Sequence, residues 1–366
     1  MPIFMDVHIV PGVKAKDVAE AHRLDLLHQQ VHGCNCMTYW IDEARENIFC
    51  LIEAPDKDAV MELHSKAHGL IPNKIIEVDS NLVEAFLGRI YDPLDAQISN
   101  EGLKVFANSC FRILLVTKMI DPVLLKHQFG DEKAGELLNA HSGIIRKNIS
   151  QFGGREVEYE GSGFVISFSS ASKAVACALA VRKEMPESVS KQIDLRLAVN
   201  AGEPVEHSDH LFGETIQFAS NMCHIAKEGK IAIASAVKEL IADDLFREER
   251  KYFLNLLPHD EHLLKLLFSK LEENWQDADF NISDYCTATA MSASQLYRKT
   301  IALTSLPPNS LVQDFRLHKA KELMRKRNYN IAQVTFDSGF TSASYFTKCF
   351  KKKYGLLPMT YLELLY

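Results

Sequence analysis

IAQVTFDSGFTSASYFTKCFKKKYGLLP, residues 331–358, is the stretch whose reading decides the fold. Ile331, Val334, Thr335 and Ser338 recur at helical spacing, Gly339 breaks the pattern, and a second helix is expected to open at Thr341. Gly339 supplies the positive φ that lets one helix stop and another start almost at once. Thr341 or Ser342 can cap the second helix, and Tyr345, Phe346, Cys349 and Phe350 form its expected buried stripe. Its other face carries Ser342, Ala343, Thr347, Lys348, Lys351 and Lys352. Small polar residues at a helix start, with lysines after them, suit a helix lying in the major groove of DNA.

A weaker copy of the unit, ISDYCTATAMSASQLYRKT, occupies residues 282–300, with Leu296 inward and Arg298 and Lys299 outward. A connecting helix is expected over 311–327, with Phe315, Leu317, Ala320, Leu323 and Met324 on its apolar side. Two such units on one rigid connector can place two recognition helices in successive major grooves. Residues 271–361 resemble the DNA-binding domain of AraC-family transcription regulators. The resemblance is carried by SASQLYRK, FRLHKAKELM, Gly339-Phe340, SYFTKCFKKKYG and Pro358. Ala290 departs from it, standing where the family usually has the turn glycine of the first unit. Ser292, Ala293, Gln295, Ser342, Ala343 and Lys348 are expected to face bases; Arg298, Lys299, Lys351 and Lys352 are expected to hold phosphates, and Thr347 belongs to the same DNA-binding face.

The 366 residues suffice for two or three domains, and 47% hydrophobic with 24% charged residues is an ordinary globular composition. No apolar run is long enough to span a bilayer, and MPIFMDVHIV lacks a signal peptide's basic flank, so a cytoplasmic location away from membranes is expected. The eight cysteines form no CxxC pair and read as reduced thiols. Net charge is −7, but residues 284–354 hold twelve Lys/Arg against four acids, +8 on this span and −15 elsewhere. A basic module on an acidic body suits focused contact with double-stranded DNA.

The first ninety residues alternate in a β-α-β-β-α-β order, the ferredoxin-like plan. Phe4, Asp6 and His8 alternate with Met5, Val7 and Ile9 on an expected half-buried strand. Helices are expected over 15–32 and 57–68, and strands over 37–41, 47–53 and 74–78. His64 and His68 are four apart on one helix face, and His22 and Asp25 are three apart on the other helix. Either pair can give two ligands to one ion; His and carboxylate ligation suits nickel, zinc or copper. MPIFMDVHIVPG, AEAHRLD, TYWIDE, FCLIEAPDKDAV and HSKAHG resemble a small ferredoxin-like family with nickel-binding members. That resemblance implies a divalent transition metal, nickel first, held by His64 and His68, then His22 and His8, with Asp25 last.

After a linker over 91–101, a strand over 111–119 is expected to open an α/β unit. Helices are expected over 135–152 (broken near its start), 172–185 and 213–226, with two strands around 160–164 and further strands over 193–200 and 230–234. FGGREVEYEGSGFVISF, LRLAVNAGEP, GETIQFASNMCHIA and GKIAIASAVKEL resemble the class III adenylate/guanylate cyclase catalytic domain over residues 111–243. The resemblance implies two metal-holding aspartates, for which Lys118 and Ser162 stand, and an Asn and Arg, for which Gln217 and Asn221 stand. Four roles are missing at once, so an inactive copy is expected, one that keeps dimerisation, binding of a nucleotide-like ligand, or both.

The chain is thus expected to be a multidomain α+β protein. It would comprise a ferredoxin-like metal-binding domain (1–90), a degenerate cyclase-like α/β sandwich (105–245) and an all-α double helix-turn-helix domain (259–366). The function that follows is a homodimeric regulator of transcription, working with RNA polymerase and responding to a metal ion or nucleotide-like ligand. The competing expectation is a nucleotidyl cyclase or metal-dependent enzyme with an attached DNA-binding module.

Overall fold

The computed structural model describes residues 1–99, 102–159, 162–226, 229–242, 245–326 and 329–366. The N-terminal unit runs β1 (Ile3–Ile9), α1 (Ala15–His28), β2 (Asn35–Asp42), β3 (Asn47–Glu53), α2 (Lys57–Ala67), β4 (Lys74–Val78) and α3 (Ser80–Leu87). Its sheet order is β2-β3-β1-β4, every neighbour antiparallel, as the β-α-β-β-α-β pattern requires. The first expected helix stops earlier than residue 32, and a 3₁₀ turn (Gln29–His32) closes it. The strand expected to be half-buried is instead covered on both faces. Phe4 packs with Val18, Val60 and Leu63 beneath the helices, while Met5 and Val7 pack with Trp40 and Phe49 on the other side. That second face meets the middle domain at Leu114, Leu211 and Phe212, so from Phe4 to His8 neither face of β1 reaches solvent, and only Ile9 at its end is exposed.

A short hairpin, β5 (Gln97–Ile98) and β6 (Lys104–Val105), joins the two units. The middle domain comprises β7 (Arg112–Lys118), α4 (Pro122–Phe129), α5 (Asp131–Phe152), β8 (Arg155–Tyr159), β9 (Phe164–Phe168), α6 (Ala171–Glu184), α7 (Glu187–Ile193), β10 (Arg196–Gly202), α8 (Gly213–Ile225), β11 (Ile231–Ile233), α9 (Ser235–Glu239) and β12 (Phe253–Asn255). Its six strands are ordered β12-β11-β10-β7-β9-β8. Two expectations fail here. The helix expected from residue 135 begins at Asp131 and follows the separate helix α4, because Gly130 (φ +79°) interrupts the run. The strand expected from Ile193 begins at Arg196, because Ile193 is the buried end of α7 and Asp194 turns left-handed (φ +48°). The two strands expected around 160–164 are β8 and β9; residues 160 and 161 between them lie outside the described residues, as does residue 327 of the connecting helix.

The C-terminal part is helical: α10 (Pro258–Asn274), α11 (Ile282–Thr289), α12 (Ala293–Thr304), α13 (Pro308–Arg325), α14 (Ile331–Asp337), α15 (Ala343–Tyr354) and α16 (Pro358–Leu365). One face of α10 (Leu263, Leu264, Leu267, Phe268 and Leu271) enters the core of the middle domain. Tyr285, Leu296, Leu311 and Phe315 extend the same core. The later helices close a separate core around Leu323, Phe340, Phe346, Phe350 and Tyr361, which the middle domain enters through Leu124, with Ile120 and Val123 packed against it. No helix among the described residues is long and apolar enough to cross a membrane.

Candidate functional site

Each helix-turn-helix unit is built by a left-handed residue and a serine cap. In the first, α11 ends at Ala290 (φ +52°) and α12 opens at Ser292. Ser292 Oγ accepts from Gln295 N at 3.3 Å, and Gln295 Oε1 accepts from Ser292 N at 3.1 Å, closing a capping box. In the second, Gly339 (φ +77°) carries the turn, α15 begins at Ala343 rather than Thr341, and Ser342 Oγ accepts from Tyr345 N at 3.4 Å. Leu296 and Phe346 occupy equivalent inward positions, and both are fully buried. The inward stripe of α15 is Phe346, Cys349 and Phe350; Tyr345, expected with them, is 52% exposed, its hydroxyl accepting from Gln313 Nε2 at 2.7 Å. Position 345 points sideways because helical spacing from Phe346, Cys349 and Phe350 leaves it at the edge of the stripe.

Ser292, Ala293, Gln295, Arg298 and Lys299 are exposed on α12 and its cap, as are Ser342, Ala343, Lys348, Lys351 and Lys352 on α15 and its cap; Thr347 is half-buried. None of these five cations has an ion-pair partner among the described residues, whereas the neighbouring Lys353 is paired with Asp314. Three lysines fill the last turn of α15, where they also complement the negative helix end. The sequence reading passed over two residues, of which the first fixes the geometry. Arg316 on α13 donates from Nε to Trp275 O at 3.0 Å and from Nη2 to Asp277 O, tying the connector to the end of α10. Tyr297 stands 49% exposed on α12 beside Arg298, and its mid-helix position between Leu296 and Arg298 was the available signal.

The cyclase-like positions lie close by. Lys118 ends β7 half-buried, and Ser162 O accepts from Met119 N at 2.8 Å. Gly163 allows this approach, since a Cβ there would stand 2.0 Å from Thr117 O. Gln217 and Asn221 are one turn apart on α8, with Gln217 Nε2 donating to Asn221 Oδ1 at 3.4 Å. Lys118 and Ser162 line a cleft of about 850 Å³ whose opposite wall is helical: His318, Lys321 and Arg325 of α13 and Lys352 of α15. Asp121, capping α4, crosses between the walls. Its carboxylate accepts from Lys321 Nζ at 3.2 Å, Arg325 Nη2 at 2.7 Å and Tyr361 OH at 2.6 Å. Burial alone would raise this carboxyl, but Lys321, Tyr361 and Arg325 outweigh it and hold it below the usual carboxylate range.

In the N-terminal unit, β1, α1 and α2 bring His8, Asp25, His64 and His68 together. His64 Nε2 meets Asp6 Oδ2 at 3.0 Å; its Nδ1 lies 3.2 Å from Asp25 Oδ1 and 3.1 Å from His68 Nε2. His8 Nε2 is 3.2 Å from Asp6 Oδ1. Cys50 sits opposite Asp6 in the β1–β3 register, and Asp6, His8, Cys50 and His64 all bring a ligand atom within 4.8 Å of one another. So do Asp25, His64 and His68. Asp6 and Cys50 were missed; Asp6 was findable, being two residues from His8 on one strand face. His22 lies farther out, 3.6 Å from Asp92 Oδ1, yet it lines a cavity of about 10 Å³ together with His8, Asp25, Cys50 and His68. Burial alone would lower His64, but Asp6 and Asp25 outweigh it and push it up to about 10. Burial would likewise raise Asp6, yet His64 and His8 hold it well below the carboxylate range.

These residues fit a borderline divalent ion on two counts. His8 Nδ1 and His22 Nε2 are buried with no hydrogen-bond partner, a costly state that coordination relieves. The donor set of imidazoles, carboxylates and one thiol also suits transition metals rather than magnesium or calcium.

Comparison with known proteins follows the same three parts. Residues 4–78 match the family described as nickel responsive protein SCO4226-like, 124–256 the adenylate and guanylate cyclase catalytic domain, and 285–363 a helix-turn-helix domain. Histidine kinase P4 of Formosa agariphila is 35% identical over 102 residues, 28% of this chain and 7% of the relative. The HTH-type transcriptional regulator MtrA of Neisseria gonorrhoeae is 32% identical over 100 residues, 27% of this chain and 32% of the relative. The chain therefore spans under a third of the length of either curated relative. The crystal structure of SCO4226 from Streptomyces coelicolor A3(2) is 34% identical, covering 21% of this chain and 94% of that one, with a TM-score of 0.20. The chain accordingly joins an SCO4226-like domain, an adenylate/guanylate cyclase-type domain and, at its C-terminus, an AraC-type helix-turn-helix domain.

Proposed function

We propose that the protein is a sequence-specific DNA-binding regulator of transcription whose N-terminal domain answers to a divalent transition metal, nickel first. The observation that carries the DNA reading is the pair of recognition helices on one connector. Both present small residues and unpaired cations outward while Leu296 and Phe346 anchor their backs. Ala293, Gln295, Thr347 and Lys348 read bases, with Ser292, Ser342 and Ala343 at the helix starts; Arg298, Lys299, Lys351 and Lys352 grip phosphates. A homodimer working with RNA polymerase in the cytoplasm completes the proposal.

The middle domain is read as a non-catalytic coupling domain. Lys118 and Ser162 cannot replace metal-holding carboxylates, and Gln217 and Asn221 offer no cation to a transferring phosphoryl group. Its surviving role is to dimerise or to receive a nucleotide-like ligand. A cyclic-nucleotide assay with manganese and ATP is expected to stay at background.

In the metal centre, His8, His64 and His68 with Asp6 and Asp25 would hold the ion, with Cys50 and His22 at its margin. When bound, the ion supplies positive charge that lets the buried carboxylates stay ionised without a protonated imidazole. His64 must give up its proton for this, so uptake should weaken as pH falls. The DNA reading is tested by selecting duplexes from a random pool with the full chain and then titrating the enriched site. Lys348→Ala should weaken binding by about 1–3 kcal/mol; unchanged affinity across salt concentrations would sink the assignment. For the metal, wild type loaded with nickel should retain it through desalting and His64→Ala/His68→Ala should not. Equal, negligible metal in both would remove the centre.

A further inference from the structure

A second basic concavity, of about 1050 Å³, opens where the N-terminal sheet, the β5–β6 hairpin and the middle domain meet. Arg89, Arg112 and Arg155 line it, together with Trp40 and the Ser170 start of α6. Arg112 donates from Nε to Phe86 O at 3.0 Å, from Nη1 to Ser109 O at 2.7 Å and Phe111 O at 2.9 Å, and from Nη2 to Leu87 O at 3.2 Å. Arg89 donates to Tyr91 O at 3.2 Å, to Tyr39 O and to Thr38 Oγ1, stacked over the Trp40 ring. Every hydrogen-bond partner of these two guanidiniums is neutral, and Asp92, which attracts Arg89 without forming an ion pair with it, is shared with His22 and Lys104. Arg155 is exposed and has no partner among the described residues. It lies flat on Gly88, where a Cβ would stand 2.7 Å from Nη2.

The carboxylates on the lining do not balance this charge. Asp42 is taken up by Arg45 and by Ser109 Oγ, both at 2.8 Å, and Asp95 is exposed at the rim. Two further features point to a guest. Trp40 is fully buried, lines the cleft, and its Nε1–H has no acceptor. The fourteen-residue helix α6 turns its positive end to the same space, with only the Lys173 N–H capped by Ser170.

We propose that this junction binds a small molecule carrying at least two negative oxyanion charges, a phosphorylated or polycarboxylated metabolite. Arg89 belongs to the end of the N-terminal unit, whereas Arg112, Arg155 and α6 belong to the middle domain. Such a guest clamps the two units together, and its effect is independent of the metal centre and of DNA.

The test is calorimetric titration of the full chain with inorganic pyrophosphate and with citrate, against sodium chloride at matched ionic strength. Saturable binding of either anion, with a raised melting temperature, is expected; pyrophosphate alone would identify a phosphorylated guest and citrate alone a polycarboxylate. Arg155→Ala should weaken binding by about tenfold or more, with unliganded melting unchanged, and Arg155→Lys should restore part of it. Lys118→Ala, in the other basic cleft, should leave it intact. No saturable binding of either anion, equal affinity in Arg155→Ala, or loss only in Lys118→Ala would each overturn the proposal.

Discussion

The two helix-turn-helix units begin their second helices with the same Ser-Ala-Ser, at Ser292 and Ser342, yet they are held to the rest of the molecule by opposite means. In the first, Tyr285 and Leu296 belong to a core continuous with the middle domain, so the unit is fused to it by apolar burial. In the second, the core is its own, and a principal tie is polar: buried Asp121 holding Lys321, Arg325 and Tyr361. Their turns differ in the same sense. Ala290 turns at the surface, where only φ is at issue, whereas Gly339 is buried with Trp275 O and Arg316 against it. A first unit anchored by a large apolar core tolerates a strained alanine. The second unit, with a core of its own, meets the middle domain through these polar atoms and the edge formed by Ile120, Val123 and Leu124.

The largest expected effect is at Gly339. A Cβ there would stand 2.3 Å from Trp275 O, a backbone atom that cannot step aside, and φ is left-handed besides. Gly339→Ala should cost about 3 kcal/mol or more and abolish DNA retention; near-native denaturant unfolding would break the contrast between the turns. Asp121→Ala comes next, leaving Lys321 buried without its partner. A loss of roughly 3 kcal/mol is expected, with hydrogen exchange rising in α13 and α16 but not in α12. Equal protection loss in α12 would mean that both units are held alike. Ser342→Ala removes a helix cap and should cost about 1 kcal/mol in chemical denaturation. Smallest is Ala290→Gly: relief of the left-handed strain is partly offset by the freer unfolded chain, a net gain below about 1 kcal/mol. A measurable destabilisation would show that the Ala290 side chain packs, contrary to its exposure.

Much of this contrast was legible before any coordinates. The repeated Ser-Ala-Ser, the glycine break and the inward Leu296 and Phe346 follow from helical periodicity, which local sequence encodes directly. The ferredoxin-like order and the meeting of His64 with His68 are equally local. Tyr345 was misassigned because a residue at the edge of an apolar stripe can turn either way, and here Gln313 draws its hydroxyl outward. Cys50 escaped because its place opposite Asp6 depends on strand pairing across more than forty residues of chain, whereas Asp6 stood in plain view two residues from His8 on one strand face. The both-face burial of β1 was hidden for a related reason: Met5 and Val7 read as an ordinary apolar face until the middle domain is laid on them.

By itself, the sequence determined three modules, their element order, the left-handed turns and the basic character of the last module. These are consequences of backbone geometry and side-chain periodicity within a few residues. Only the tertiary structure decided that Asp121 crosses from the middle domain to the second unit, that Lys118 faces the connector helix, and that three arginines converge at the first junction. Each joins groups far apart in the chain whose interaction depends on distance and desolvation, quantities that exist only once the surfaces between them are buried.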